Sequence, residues 1–433
     1  MGNATVMVGF FNKYTLCNKP RLSVSDIRLV ELFLLLSVVF CLLSQVVSLL
    51  GGSFSPISEW TLTYFSYSTS FGQYVTLLKY SSQLCLIVVL LSVIVKNGAS
   101  DPILIILSLT GFVLYLVVEI AGGANPLEVV FGSIPLSVFL VPLFVFVGQD
   151  VRLASMIAKW SIPLAFVCFF ASGLITLWFR LSWGWTMEFG DFPGRAFYGY
   201  AICAMWVACF ARSAKNNSQR KLMLLLCALG LLFGLFLNVR SWVLQCAVAF
   251  LFVYVLQARG KAVATRSIKA MVLLVTFVAV LALAFPSAFD TFGARLGDDT
   301  RSGQYDVFFD QVDPASLILG LGSEASYSYG SYASYKYFDN QLIFVAFHYG
   351  AIPVICFLYV ILRSLLGVRN SGFKPGLRFI AAAWLAAVVG LSTYFSYEMN
   401  YFIVSLVVIA ATGLWSPSLS DDDFGNAAVE RGC

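Results

Sequence analysis

Histidine is almost missing from this chain: His348 is the one example in 433 residues. Charge is scarce as well, with Asp, Glu, Lys and Arg together at 11%. No Cys-x-x-Cys pair and no cysteine–histidine spacing of the zinc-binding kind occurs, so the sequence offers no metal site. The ten cysteines make no disulfide framework either. Cys41, Cys85, Cys168, Cys203, Cys209, Cys227, Cys246 and Cys356 lie inside apolar runs, and Cys17 and Cys433 lie in the tails. The net charge of +5 is not a nucleic-acid signal, and no nucleic acid is expected among the partners. The start, residues 1–28, is polar and basic and lacks the pattern of a cleavable signal peptide.

What the chain has is apolar length. It is 60% hydrophobic, carries 39 phenylalanines and has a mean hydropathy of +0.86. Apolar runs long enough to cross a bilayer core, roughly 20 residues each, recur along nearly the whole length. They are continuous and do not alternate, which excludes a membrane β-barrel and points to helices. The expected fold class is therefore all-α, a polytopic integral membrane protein. The expected spans are 29–50, 79–95, 102–120, 129–148, 161–179, 196–210, 222–238, 241–257, 270–286, 339–362, 379–396 and 400–416, about twelve helices. Tails at 1–28 and 417–433 flank a catalytic membrane domain at 29–416, and a large loop at 287–338 precedes the tenth helix. The 222–238 and 241–257 pair reads as a tight helical hairpin.

Basic residues alternate between the loops. Lys79, Arg180, Arg195, Arg240, Arg295, Arg301 and Lys336 fall on one side, and the other Lys and Arg residues fall opposite or in the tails. The positive-inside rule puts the sparse side outside and both termini in the cytoplasm, as an even number of helices requires. In a bacterium the large loop is then periplasmic and the membrane is the inner one.

The outward arginines carry the chemistry. Arg240 sits in FLNVRSWVLQ, at the turn of the tight hairpin. A guanidinium that close to hydrocarbon marks a functional site unless it snorkels or pairs with an acid such as Asp339. Arg295 and Arg301 open the large loop in GARLGDDTRSGQYDVFFDQVD. Its DVFFDQV portion has the spacing of a short amphipathic helix lying on the membrane. GLGSEASYSYGSYASYKYFDN follows, rich in Gly, Ser and Tyr. Tyrosines such as Tyr335 and Tyr337 offer flat faces for stacking on sugar rings, or serve as ordinary interfacial tyrosines. Asp339 and Asn340 begin the next helix, where Asp caps free N–H groups well or acts as a general base. His348 lies about 12 Å further along that helix, on the face of Asn340, as a packing residue or a cavity residue. Glu119 and Glu398 stand at helix ends.

Four segments, in order, resemble the O-antigen polymerase and ligase superfamily: DFPGRAFYGYA with Arg195, LNVRSWVLQ with Arg240, RLGDDTRSGQYDVFFDQVDPASLILGLG with its Gly-x-Gly, and DNQLIFVAFHYGAIPVICFLYVILR with Gly350. The resemblance runs from about Phe192 to Arg378. It implies a glycosyltransferase that needs no metal or other cofactor and uses an undecaprenyl-pyrophosphate-linked oligosaccharide as donor in polysaccharide biosynthesis. It implies membrane lipids as surroundings and a chain-length regulator as a candidate protein partner. The family's two phosphate-binding arginines fall on Arg240 and Arg301, with Arg295 as the alternative for the second. Arginine suits that role, because its fork binds phosphate oxygens bidentately and stays charged. Ligases of the superfamily show His-Asn where the large loop meets the next helix. Here the pair is Asp339-Asn340, which favours a polymerase and makes Asp339 the expected base, with Arg240 and Arg301 as its catalytic companions. Arg195, Arg295, Asn340, His348, Tyr335 and Tyr337 are expected to bind substrate. A ligase acting on lipid A core or protein is the alternative. A lipid-linked glycan transporter is the third reading, but it calls for midplane charges, of which the spans show few.

Overall fold

The computed structural model describes residues 22–58, 61–66, 69–98, 101–126, 129, 138–148, 150–185, 188–189, 193–212, 217–255, 262–296, 300–330, 332–338 and 340–366. Helices dominate them. In chain order they are α1 (Val24–Gly51), α2 (Thr69–Asn97), α3 (Pro102–Ala121), α4 (Val151–Trp183), α5 (Pro193–Arg212), α6 (Asn217–Leu237), α7 (Arg240–Val255), α8 (Ala262–Ala284), α9 (Pro286–Leu296), α10 (Thr300–Gln311), α11 (Gln341–Tyr349) and α12 (Ala351–Leu366). Among the described residues, six stretches are long and apolar enough to cross a membrane: Val24–Gly51, Phe71–Asn97, Pro102–Ala121, Lys159–Trp183, Arg220–Leu237 and Ala264–Ala284. In α8 only 11% of that stretch is buried, and Val275 and Leu283 are exposed. So long an open apolar surface suits a lipid-facing helix and would be a liability in water. This is the architecture of a helical membrane protein.

The helices match several expected spans and depart from others. The segment expected as a span at 129–148 is described at Val129 and again from Val138, where a tight 3-10 turn over Val141–Phe144 leads into a helical turn over Val145–Gly148. Pro142 accounts for the change, because it donates no hydrogen bond to a regular helix. The expected tenth helix, 339–362, is two helices broken at Gly350, which has φ +88°. The last two expected spans, 379–396 and 400–416, lie outside the described residues.

Two small sheets accompany the helices, which an all-α reading did not anticipate. β1 (Gly52–Ser58) pairs antiparallel with β2 (Thr61–Ser66), and Thr61 and Leu62 of β2 pair parallel with Glu188 and Phe189 of β3. β2 reads TLTYFS, and Thr, Tyr and Phe favour extended backbone. β4 (Tyr327–Tyr329) and β5 (Tyr332–Tyr335) form a second antiparallel pair. The segment expected as a large loop is therefore folded: it holds most of α9, all of α10, a 3-10 turn at Pro314–Ile318 and the β4–β5 hairpin.

The chain forms two units. The unit of Phe40–Lys79 and Ile157–Asp299 is built around α5, which is buried on every side from Phe197 to Cys209. A helix apolar all round belongs at the centre of a bundle. Gly230 and Gly234, one turn apart on α6, let its neighbours approach closely. A side chain at Gly230 would meet Cys246 and Phe169, and one at Gly234 would meet Tyr198 and Val243. Tyr198 donates its hydroxyl to the Gly230 carbonyl and stacks on Trp242 with ring centres 5.2 Å apart.

The other unit takes Met1–Val39, Tyr80–Met156 and Thr300–Cys433. There Gly111 of α3 lies against Phe139 and Ile352, and Ser108 donates to the Phe139 carbonyl. Ser37 of α1 and Ser82 of α2 share a buried hydrogen bond at 3.1 Å. The cysteines of the described residues are all buried and free, as their place in apolar runs suggests.

Candidate functional site

In the unit built around α5, three arginines stand at one end of the helix group. Arg180 is in the last turn of α4, Arg195 in the first turn of α5, and Arg240 is the first residue of α7. Direct contacts tie these helices together. Ser172, about two turns before Arg180 in the body of α4, donates to the Gly194 carbonyl at 2.7 Å, next to Arg195. Arg180 donates from Nε to the Phe236 carbonyl near the end of α6 at 2.9 Å, and from Nη1 to the Trp185 carbonyl at 2.8 Å. Trp185, Phe236 and Phe285 pack as an aromatic group beside them, with Phe236 and Phe285 4.9 Å apart.

The turn that carries Arg240 is as tight as its sequence implies. Asn238 and Val239 alone separate α6 from α7. Asn238 has φ +56°, the one positive φ on a non-glycine residue among those described. Asparagine tolerates that conformation better than most side chains. Val239 N–H closes the turn on the Gly234 carbonyl at 3.2 Å. Arg240 is half-buried.

The electrostatics of this end suit an anion. Arg195 is half-buried, and its Nε is shut from solvent with no hydrogen-bond partner. It stands in the first turn of α5, where the helix dipole is already positive, and Arg240 does the same on α7. Cations there are unfavourable alone and favourable around a negative group. Other buried polar atoms without hydrogen-bond partners in this unit include Thr176 Oγ1, one turn before Arg180, and Asn238 Oδ1.

The second set of expected residues lies in the other unit. Asn340, not Asp339, is the N-cap of α11. Its Oδ1 accepts from Leu342 N–H at 3.0 Å and its Nδ2 donates to the Tyr305 hydroxyl at 2.9 Å. Tyr305 is one turn after Arg301 on α10, so the start of α11 and the first turns of α10 are brought together. Arg301 has a helical backbone in α10 of this unit, and Arg295 has one in α9, which belongs to the unit built around α5. Their side chains, and Asp339 as a whole, lie outside the described residues.

The hairpin beside Asn340 is held by residues that sequence reading missed. Gln304, buried, donates to the Tyr327 hydroxyl at 2.8 Å, and Tyr327 donates to the Tyr337 carbonyl at 2.8 Å. Gln311 meets Ser328 as a strand would: its Nε2 donates to the Ser328 carbonyl and its Oε1 accepts from Ser328 N–H, both at 2.9 Å. Phe308 is fully buried against Phe338, Tyr327 and Phe347. The apolar face of DVFFDQV, expected on the membrane, thus puts Phe308 into protein.

Tyr335 is half-exposed on the hairpin, with the rings of Tyr329 and Tyr332 at 5.4 and 5.7 Å. Tyr337 is half-buried and lies 6.2 Å from Phe344. His348 is buried between Phe344 and Phe347. Its Nδ1 lies 2.9 Å from the Gly322 carbonyl and its Nε2 2.8 Å from the Lys336 carbonyl. It ties both arms of the 320–338 segment to α11. Gly320 and Gly350 pack backbone to backbone nearby. The Gly-x-Gly segment and the helix with Gly350, two of the four resembling pieces, therefore meet in space. Glu119, buried at the end of α3, accepts from Ser323 N–H. Glu398 lies outside the described residues. Among the described residues no three His, Cys, Asp or Glu side chains gather in a way that could hold a metal ion.

No protein-family model, no curated protein and no solved structure matches the chain.

Proposed function

We propose that the chain is a polysaccharide polymerase of the O-antigen type. It joins undecaprenyl-pyrophosphate-linked repeat units by glycosyl transfer at the periplasmic face of the bacterial inner membrane, with both termini cytoplasmic. The observation that carries the reading is the set of Arg180, Arg195 and Arg240 at one end of one helix group. By charge bias, that end is the outer one. The donor's anomeric carbon bears a pyrophosphate. As the acceptor hydroxyl bonds that carbon, the bond to the pyrophosphate oxygen breaks and negative charge grows on the leaving group. Arg240 and Arg301 bind those oxygens, with Arg295 as the alternative for the second and Arg195 as a further binding residue. Fixed cations lower the barrier most where charge develops. The hydroxyl's proton goes to Asp339, which stands directly before the Asn340 cap. The tyrosines of the β4–β5 hairpin hold sugar rings of the growing chain.

Complementation of a polymerase-null strain tests this. The wild-type gene should restore long-chain glycan, and its loss should leave single lipid-linked repeat units. A ligase would instead leave finished polymer on the lipid carrier. Accumulated polymer after deletion therefore rejects the polymerase reading.

A further inference from the structure

We propose that Arg180 is the positioning residue that sets the direction of Arg240. The inference rests on the reading of Arg240 as a pyrophosphate contact and adds a residue that does not itself touch substrate. Arg180 is 4% exposed, so its guanidinium is spent inside the protein. From one planar fork it reaches two separate stretches of main chain, the Phe236 carbonyl near the end of α6 and the Trp185 carbonyl beyond the end of α4. The last carbonyls of a helix have no partner within it and carry the negative end of its dipole. A cation there fixes where the helix stops.

Only Leu237, Asn238 and Val239 separate Phe236 from Arg240. One of the three is in the left-handed region, and the turn closes through two backbone bonds, from Asn238 N–H to the Leu235 carbonyl at 3.1 Å and from Val239 N–H to the Gly234 carbonyl at 3.2 Å. Gly234 cannot shift, because Tyr198 and Val243 stand against it. The path of the chain from α6 into α7 therefore follows from the position of Phe236, and Arg180 holds that position. Lysine keeps the charge but lacks the fork, so it cannot bond both carbonyls in the same plane.

The test uses the full chain in lipid nanodiscs, with undecaprenyl pyrophosphate as probe and both dissociation constant and melting temperature as readouts. Arg240→Ala should weaken binding about tenfold or more. Arg180→Lys should also weaken it about tenfold with little change in melting temperature. The double variant should bind no more weakly than Arg240→Ala alone, because Arg180 acts through Arg240. Additive losses, or wild-type affinity in Arg180→Lys beside a weakened Arg240→Ala, overturn the positioning role and leave the pyrophosphate reading standing. Wild-type affinity in Arg240→Ala overturns both. If Arg180→Lys does not fold, Arg180→Gln keeps an amide donor for one carbonyl and gives up the charge and the second arm of the fork. It should weaken binding several-fold, and unchanged affinity counts against the inference.

Discussion

Arg180 donates to the main-chain carbonyl of Phe236, 56 residues further along the chain, through a bond buried at the end of α6. That bond ties the end of α4 to the base of the turn that presents Arg240. An arginine that composition marks only as an outward exception thereby becomes part of the scaffold of the proposed site.

Arg240→Lys separates a phosphate contact from a membrane anchor. A lysine snorkels as well as an arginine but offers a point charge in place of a bidentate fork. Polymer synthesis by the variant should fall about tenfold or more, since losing 1.4 kcal/mol of transition-state stabilisation costs that much. Protein abundance in the membrane should not change. Full polymer length and yield would assign Arg240 to anchoring.

Asp339→Asn removes the expected proton acceptor while keeping size and hydrogen-bonding capacity. Turnover should drop by about 10²–10⁴, the usual contribution of a positioned base, while donor binding stays near wild type. Unchanged turnover would pass the role to another group.

Gly350→Ala tests the close backbone approach in the other unit. Gly350 has φ +88°, and an added Cβ would lie 2.8 Å from the Leu319 carbonyl oxygen and 2.9 Å from that of Ile318. A positive φ with extended ψ is essentially confined to glycine and alone costs an alanine about 1–3 kcal/mol, and the carbonyl oxygens add to it. The melting temperature of the detergent-solubilised protein should drop by several degrees. A melting curve that overlays wild type would mean that the two backbones are not pressed together.

Gln304→Leu keeps volume and deletes a buried amide. Tyr327 then loses the hydrogen bond that its hydroxyl accepts, and a buried polar group so deprived costs about 1–3 kcal/mol. Hydrogen exchange should quicken across Tyr327–Tyr335 while Val24–Gly51 stays as protected as before. Equal protection of the hairpin would show that Phe308 and its neighbours hold it without Gln304.

Sequence reading recovered what depends on local pattern. The α6–α7 hairpin is legible because FLNVRSWVLQ leaves no room for a loop between two apolar runs. The long apolar helices follow from run length, and the burial of the cysteines from their surroundings. What stayed hidden depends on partners far along the chain. The two ring nitrogens of His348 face carbonyls 26 and 12 residues upstream, which no helical period reveals. The Gly, Ser and Tyr content of 322–337 reads as loop, yet Gln304 and Gln311 turn it into a hairpin from outside it. The N-cap fell on Asn340 and not on Asp339, a difference of one residue that composition cannot decide because both side chains cap well. The break at Gly350 was visible as a glycine, but the reason for it, the packing of Gly320, lies 30 residues away.

The most direct test of the account is reconstitution with a defined donor. Purified wild type, Arg240→Ala and Arg301→Ala are each placed in nanodiscs with an undecaprenyl-pyrophosphate-linked repeat unit, and the products are separated by length. The wild type should give a ladder of lengthening glycan and release undecaprenyl pyrophosphate, with neither variant extending beyond the single unit. No ladder from the wild type, or equal ladders from all three proteins, would contradict it.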